Sequence, residues 1–471
     1  MRIVTIRGLL LVLAVMAIGA CGKQRDRGEP DAGPTPAPDA CTGAGCPGTV
    51  CSAMGKPETS VSGTVYAPNG TLPLFGINVY VPAHDPGPFL DGAQCDRCSD
   101  ALPGDPVVQT VSDANGQFSL IGIPSGDNVR LVITSGKWRK QIMLAHVEPC
   151  TVQALSTAQT TLPRDHTEGD LPRIAITTGF ADSLECLVRK LGVADSEIST
   201  DRGAGRVHLY AGEFGKDKFA TGFPGGSDEA FSLASTLWND LEKMKTYDIV
   251  MFSCEGAQYS RTKPQAALDA VKAYADFGGR LFLSHWHNIW IEGATDEDNM
   301  GQVPAVWGAS ATAPGIATWT DRVEELAINS SSRIDETSNP KGVAFASWMM
   351  NVGGSTVRDH IELVNQAPDE HDVVLSSGRS TCAAVDPERA ERWVFLPDQG
   401  GGTQNFQFTT PIEQPVDARC GKVVFSDMHV SGIAGEGVYP ESCGTSLEMT
   451  PQEKALAFMF FDIASCVGVL L

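Results

Sequence analysis

The spacing of apolar and polar residues changes character several times along this chain of 471 residues. An apolar run from Leu9 to Ile18 follows the basic residues Arg2 and Arg7. The run is too short to span a membrane and leads into small residues, which is the pattern of a secretory signal. We therefore predict that residues 1–20 are a signal peptide and that the mature protein is exported.

The segment Ile18-Gly19-Ala20-Cys21 looks like a bacterial lipobox. This resemblance implies that Cys21 is lipidated and becomes the new N-terminus, so that the protein meets its membrane partner through a lipid anchor. Gly22 stands where an Asp usually signals inner-membrane retention, which favours the outer membrane of the cell envelope, facing the periplasm or the cell surface. The alternative is an ordinary signal peptide with a chance cysteine.

Residues 21–58 show no apolar periodicity. The stretch 31–38 is rich in proline and polar residues and has nothing to bury, so we predict a flexible linker. We expect Cys41, Cys46 and Cys51 to fasten its far end.

Apolar and polar residues alternate in short runs between residues 59 and 162. The runs predicted to be strands are Val61–Tyr66, Ile77–Val81, Gln117–Leu120 and Val129–Ile133. Turns rich in Gly, Asn and Asp separate them, which indicates a β-sandwich. The sequence motifs resemble those of the carboxypeptidase regulatory-like domain, a transthyretin-like accessory domain without chemistry of its own; they are Ser62–Val65, Val79–Val81 and Ser112–Phe118.

From Arg173 onward, continuous apolar runs alternate with helical patterns. The predicted strands are Ile174–Thr178, Val207–Tyr210, Tyr247–Phe252, Arg280–Ser284 and Lys422–Ser426. The predicted helix starts are an Asp182 cap, Ser227, a Thr262/Gln265 capping box and Thr450. This alternation predicts an α/β domain with a parallel sheet over 170–471, interrupted by an insertion at about 286–421.

The α/β region resembles the class I glutamine amidotransferase-like fold, and within it the ThuA-like group. The resemblance rests on Tyr247–Val250, Gly278–His285 and Val423–His429. It implies a flavodoxin-like α/β fold, so the whole chain is expected to be multidomain. The chain also resembles uncharacterised lipoproteins that join these two domain types, for which no activity is implied.

Charge limits the possible partners. The chain has 57 acidic and 35 basic residues and a net charge of −22. Dense Lys/Arg clusters, which neutralise phosphates, are missing from the sequence, so we expect no nucleic-acid partner.

The cysteines point to an oxidising compartment. The chain has 13 of them, and lipidation of Cys21 leaves 12 (13 − 1). Export makes disulfides the expected state of these residues. The local candidate pairs are Cys382 with Cys420 and Cys443 with Cys466. A separate N-terminal set comprises Cys41, Cys46, Cys51, Cys95, Cys98 and Cys150.

Cys254 directly follows a predicted strand, and a thiol at that place resembles a nucleophile whose pKa a nearby histidine could lower. The amidotransferase nucleophile, however, follows the next strand, where Ser284 and His285 stand. Cys254 and His285 are therefore candidate catalytic residues, and a disulfide or buried thiol is the favoured interpretation of Cys254.

His285 and His287 are two residues apart, as are Asp427 and His429. On strands, this spacing would turn each pair to one face, and the four side chains could bind a divalent metal at the carboxyl edge of the sheet. Histidines hydrogen-bonded to the backbone are the favoured alternative.

The sequence thus favours a cell-envelope lipoprotein with a binding or structural role and no cofactor. Its ligand, a protein or a carbohydrate, is left open. The alternative is an enzyme of ThuA-like type, a hydrolase or a carbohydrate-modifying activity, that uses His285, His287, Asp427 and His429 with or without metal.

Overall fold

A computed structural model describes residues 49–226, 229–294, 303–308, 315–325, 330–366, 377–397, 402–430, 432, 435–444 and 446–467. All of them belong to the unit Ala44–Leu471. The predicted signal peptide, Cys21, Cys41, Cys46 and Ser227 lie outside the described residues. Within the described ranges, no helix combines the length and the apolar character needed to cross a membrane.

The N-terminal region forms two sheets that share one core. Its elements are α1 (Thr49–Ala53), β1 (Ser60–Thr64), β2 (Asn78–Pro82), β3 (Pro106–Val111), β4 (Gln117–Ile121), β5 (Gly126–Ser135), β6 (Trp138–Val147), β7 (Val152–Ala154) and α2 (Thr157–Thr160). One sheet has the order β4-β1-β7 and the other β3-β2-β5-β6. Val61 of the first and Leu131 of the second are fully buried in one apolar cluster, as a sandwich requires. The four predicted strands are present, whereas β3, β6 and β7 were not predicted.

The second region begins with alternating strands and helices. They are β8 (Ile174–Thr177), α3 (Leu184–Lys190), β9 (Ile198–Thr200), β10 (Val207–Ala211), β11 (Lys218–Phe219), β12 (Ser232–Leu233), α4 (Ser235–Trp238), α5 (Leu241–Lys245), β13 (Ile249–Phe252), α6 (Gln265–Phe277), β14 (Arg280–Ser284) and α7 (Ile289–Glu292). Every residue of β8, β13 and β14 is buried. Such continuous burial is typical of parallel strands that are covered on both faces.

The remaining elements are β15 (Gly293–Ala294), β16 (Val303–Pro304), β17 (Ala317–Glu325), β18 (Ser331–Ile334), α8 (Gly342–Asn351), β19 (His360–Glu362), β20 (Arg379–Val385), β21 (Glu391–Leu396), β22 (Gly402–Thr410), β23 (Gly421–Ser426), β24 (Val438–Tyr439) and α9 (Pro451–Ala464). Short 3-10 helices span Asp195–Glu197, Ser260–Thr262, His285–Asn288, Val416–Ala418 and Glu441–Cys443.

The main sheet has the order β12-β10-β8-β13-β14-β23-β22-β21-β18-β19. Its strands are parallel from β12 to β23. From there the strands of the predicted insertion continue the same sheet, because β22 pairs with β23 in antiparallel register. The predicted α/β class is therefore present, and the insertion extends the sheet.

Two of the predicted helix starts are wrong. Helix α3 begins after Ser183, so Asp182 is not its cap residue, and the Asp182 side chain is buried. Thr262 does not cap α6, since its hydroxyl donates to the carbonyl of Tyr259. Ser227 itself is not described, but beyond it β12, α4 and α5 lie where one helix was expected. The capping box at Thr450 and Glu453 is present.

The disulfides join segments that are distant in sequence. Four pairs are described: Cys51–Cys150, Cys95–Cys420, Cys98–Cys466 and Cys186–Cys443. The predicted pairs Cys382–Cys420 and Cys443–Cys466 are therefore wrong. Both guesses assumed short loops, whereas the fold brings the loop of Cys95 and Cys98 to the end of the chain. Cys382 is a buried, unpaired thiol.

Two of these disulfides tie the sandwich to the amino edge of the parallel sheet. Cys420 immediately precedes β23, and Cys466 follows α9. At the same edge, Lys137 from the β5–β6 turn donates to Asp248, just before β13, at 2.5 Å. The carboxyl edge of the sheet is left free of these cross-links.

Candidate functional site

Three candidate residues meet at the carboxyl edge of the sheet. Cys254, His285 and His429 follow β13, β14 and β23, respectively. These strands are neighbours in parallel register, so their carboxyl ends open at one place. In open α/β sheets this edge is where ligands bind.

The backbone at His285 is strained. Its φ angle is +42°, a left-handed value that is uncommon for residues other than glycine. The residue turns the chain from β14 directly into the 3-10 helix His285–Asn288. Such sharp turns after a strand hold a side chain out at the sheet edge, as a nucleophile elbow does. The turn thus places the imidazole beside Cys254.

The three side chains are close enough to share one ligand. One ligand atom from each of Cys254, His285 and His429 lies within 4.8 Å of the other two. Cys254 Sγ is 3.4 Å from His285 Nδ1, and the two imidazole centroids are 5.3 Å apart. All three are buried, with exposed fractions of 0%, 2% and 0%, respectively.

Several nitrogen atoms of this cluster have no hydrogen-bond partner among the described residues. They are Nε2 of His285 and both Nδ1 and Nε2 of His429. Buried polar atoms are nearly always paired, because leaving one unpaired forfeits its interaction with water. The unpaired nitrogens are therefore available to a ligand at this edge.

Burial keeps the cluster uncharged. It lowers the pKa values of His285 and His429 well below the ordinary value, and the nearby charge of Arg379 adds to this effect. Burial also raises the pKa of the Cys254 thiol to about 12. At neutral pH the cluster is thus a thiol beside two neutral imidazoles. A neutral thiol is a weak nucleophile, whereas a neutral imidazole is the form that binds metals.

His287 is not part of the cluster. Its Nε2 donates to the carbonyl of Ser253 at 2.9 Å, and its Nδ1 accepts from the indole of Trp290 at 2.9 Å. We expected His285 and His287 to share one face of a strand, which is wrong because the strand ends at Ser284. His287 instead fits the alternative prediction, a histidine that is hydrogen-bonded to the backbone.

Asp427 is also directed away from the cluster. Its carboxylate accepts from the backbone N–H and the hydroxyl of Thr381, each at 2.8 Å. Burial raises its pKa to about 7. The carboxylate therefore fastens β20 to the end of β23, and the metal set predicted from four residues does not assemble as such.

Two neighbours of the site were not foreseen. Asp182 accepts from the Ser284 hydroxyl at 2.6 Å and from the backbone N–H of Val430 at 2.8 Å, which links the loops before His285 and after His429. The sequence signal that could have found Asp182 was its position after a buried strand. Arg379, which acts on both imidazoles, lies in the insertion, and no sequence pattern points to it.

The described cysteines of the N-terminal set have structural roles. Cys95 and Cys98 are each bound to a distant cysteine. Cys150 closes the disulfide with Cys51, so the fastening expected for the end of the linker is present at Cys51.

A cleft of about 1230 Å³ lies elsewhere, bordered by Asn69 and Lys140 of the sandwich and by Lys454 of α9. None of the cluster residues lines it. Basic side chains along it already pair with carboxylates, as in Arg164–Glu168, Arg189–Asp195 and Lys190–Glu453. We therefore regard the carboxyl-edge cluster as the better candidate site despite the size of this cleft.

No protein-family model matches the chain, and no curated protein matches it. Among solved structures, it is similar to a ThuA-like protein from Bacteroides uniformis, with 10% identity over 61% of this chain and 90% of that chain and a TM-score of 0.28. A cytoplasmic protein from Salmonella typhimurium is similar with 11% identity over 62% and 98% of the two chains and a TM-score of 0.29. Similarities with such low TM-scores carry no argument about this chain.

Proposed function

We propose that this chain is an exported, lipid-anchored protein of the cell envelope with a binding or structural role. The observation that best supports the proposed export is the set of disulfides between distant segments, such as Cys98–Cys466 across 368 residues of sequence. Disulfides of this kind persist in oxidising compartments and are rare in the cytosol of most organisms. The signal-like N-terminus leads to the same compartment.

The burial of the candidate chemistry supports binding or structure over turnover. Cys254 and His429 have no exposed surface, and the thiol is protonated at neutral pH. A substrate would have to displace protein to reach them. In the described residues, the groups best suited to chemistry are thus closed off from solvent.

Replacing the predicted lipidation site tests the anchor. In Cys21→Ala the protein should move from the membrane fraction to the soluble extract, since the acyl chains supply the membrane affinity. Gly22→Ala is the matched control and should stay with the membranes. Sedimentation of Cys21→Ala with membranes would contradict the anchor.

The 3.4 Å contact between Cys254 Sγ and His285 Nδ1 favours a second candidate, a hydrolase of ThuA-like type with a Cys–His pair. A catalytic thiolate must react with iodoacetamide in the folded protein. A buried neutral thiol reacts only after unfolding, and this is the outcome we expect. Rapid alkylation of Cys254 in the folded protein would favour the enzyme.

A further inference from the structure

The carboxyl-edge cluster combines three features in one place. A cysteine that escapes disulfide formation lies beside two histidines, although the other described cysteines, apart from Cys382, are paired. The imidazole nitrogens of His429 are both buried and unpaired among the described residues. One residue of the cluster, His285, is held in a strained backbone conformation. Strain and unsatisfied polar atoms concentrate where a ligand is held.

We propose that Cys254, His285 and His429 together bind one thiophilic transition-metal ion, copper or zinc. This site goes beyond the envelope role proposed above and does not depend on it.

The donor atoms select this class of ion. One sulfur and two imidazole nitrogens suit copper and zinc, whereas magnesium and calcium prefer oxygen ligands. A set of two histidines and one cysteine in a plane around the ion is typical of copper electron-transfer sites, and zinc would take a further ligand. The three residues follow adjacent strands of a rigid sheet, which fixes their mutual positions.

Binding requires one proton to leave and no redox change. The thiol of Cys254 releases its proton to solvent, its sulfur bonds to the ion, and each imidazole donates a nitrogen lone pair. Since His285 and His429 are neutral, neither has a proton to lose before it can bind.

The matched variants are available within the chain. Cys254→Ser and His429→Gln remove ligands, while Cys382→Ser and His287→Gln alter a buried thiol and a buried histidine outside the cluster. Each protein is produced with copper or with zinc in the medium, because a closed site is filled during folding. After dialysis, the metal content is measured by mass spectrometry. We expect about one ion per chain in the wild type and both controls, and at least about a tenfold loss in the two ligand variants.

A second measurement needs no variant. The wild-type protein produced with cobalt, a spectroscopic substitute for zinc, should show a thiolate-to-metal charge-transfer band, and the copper form should show the corresponding visible band. If a ligand variant fails to fold, these spectra decide the question. Metal-free wild type from both media, metal retained by folded Cys254→Ser, or bound metal without a thiolate band would each overturn the proposal. The ion that the wild-type protein retains after dialysis identifies the site as a copper or a zinc centre.

Discussion

The cross-linked polar residues at the amino edge of the parallel sheet differ from the Cys254 cluster at its carboxyl edge. At the amino edge, the loop of Cys95 and Cys98 is cross-linked to both ends of the C-terminal segment, and Lys137 pairs with Asp248. At the carboxyl edge, Cys254 forms no disulfide, and three of the four imidazole nitrogens of His285 and His429 lack hydrogen-bond partners among the described residues. Polar residues bound by other residues of the chain hold the fold together, whereas polar atoms left unpaired at the edge where ligands bind indicate a site.

Two buried carboxylates, one near each edge, differ in the kind of partner they have. Asp462, near the amino edge, pairs with Lys341 and lies 3.2 Å from the Lys422 ammonium, and despite its burial these charges lower its pKa. Asp182, at the carboxyl edge, is hydrogen-bonded to Ser284 and to backbone N–H groups, and burial raises its pKa to about 7. One carboxylate stabilises the folded state when charged, and the other is more stable when protonated.

The largest effect should come from the amino edge. Removing the disulfide in the double variant Cys95→Ser/Cys420→Ser should lower the free energy of unfolding by about 2–5 kcal/mol, because the unfolded chain regains the entropy of a long loop. Chemical denaturation of the oxidised protein measures it. The control Cys382→Ala alters a buried cysteine without a disulfide and should cost less. An unchanged midpoint in the double variant would show that the sandwich does not rely on this cross-link.

A smaller effect, visible in its pH dependence, is expected at the carboxyl edge. Asp182 has an ordinary pKa of 3.8 and a folded pKa of about 7. Between these values the folded state holds a proton that the unfolded state has released, so this group makes stability fall as the pH rises from about 4 to about 7. Below and above this range, its contribution is flat.

Asp182→Asn should remove this slope. As the pH rises from 4 to 7, the free energy of unfolding of the variant should therefore increase relative to that of the wild type, by up to a few kcal/mol. The amide suits the site, since its oxygen can accept from Ser183 and Val430 while its nitrogen donates to Ser284. Unfolding midpoints measured across this pH range test the expectation. Parallel curves for the two proteins would mean that Asp182 is ionised throughout.

More of the carboxyl edge than of the amino edge could be predicted from the sequence. The strands before Cys254, His285 and His429 are continuous apolar runs, and the carboxyl ends of parallel strands meet, so the convergence of these residues could be foreseen. The exclusion of His287 could not, because it depends on β14 ending at Ser284 and on the strained turn that follows. The partners of Cys95 and Cys98 depend on where the sandwich packs, a tertiary contact that local spacing does not encode.

Differential alkylation with peptide mass mapping tests the contrast between the edges most directly. Without reductant, the folded protein should leave Cys254 unmodified, and unfolding alone should expose it to iodoacetamide. Cys95 and Cys98 should remain in peptides linked to Cys420 and Cys466 until a reductant is added. A disulfide at Cys254, or Cys420 linked to Cys382, would contradict the account.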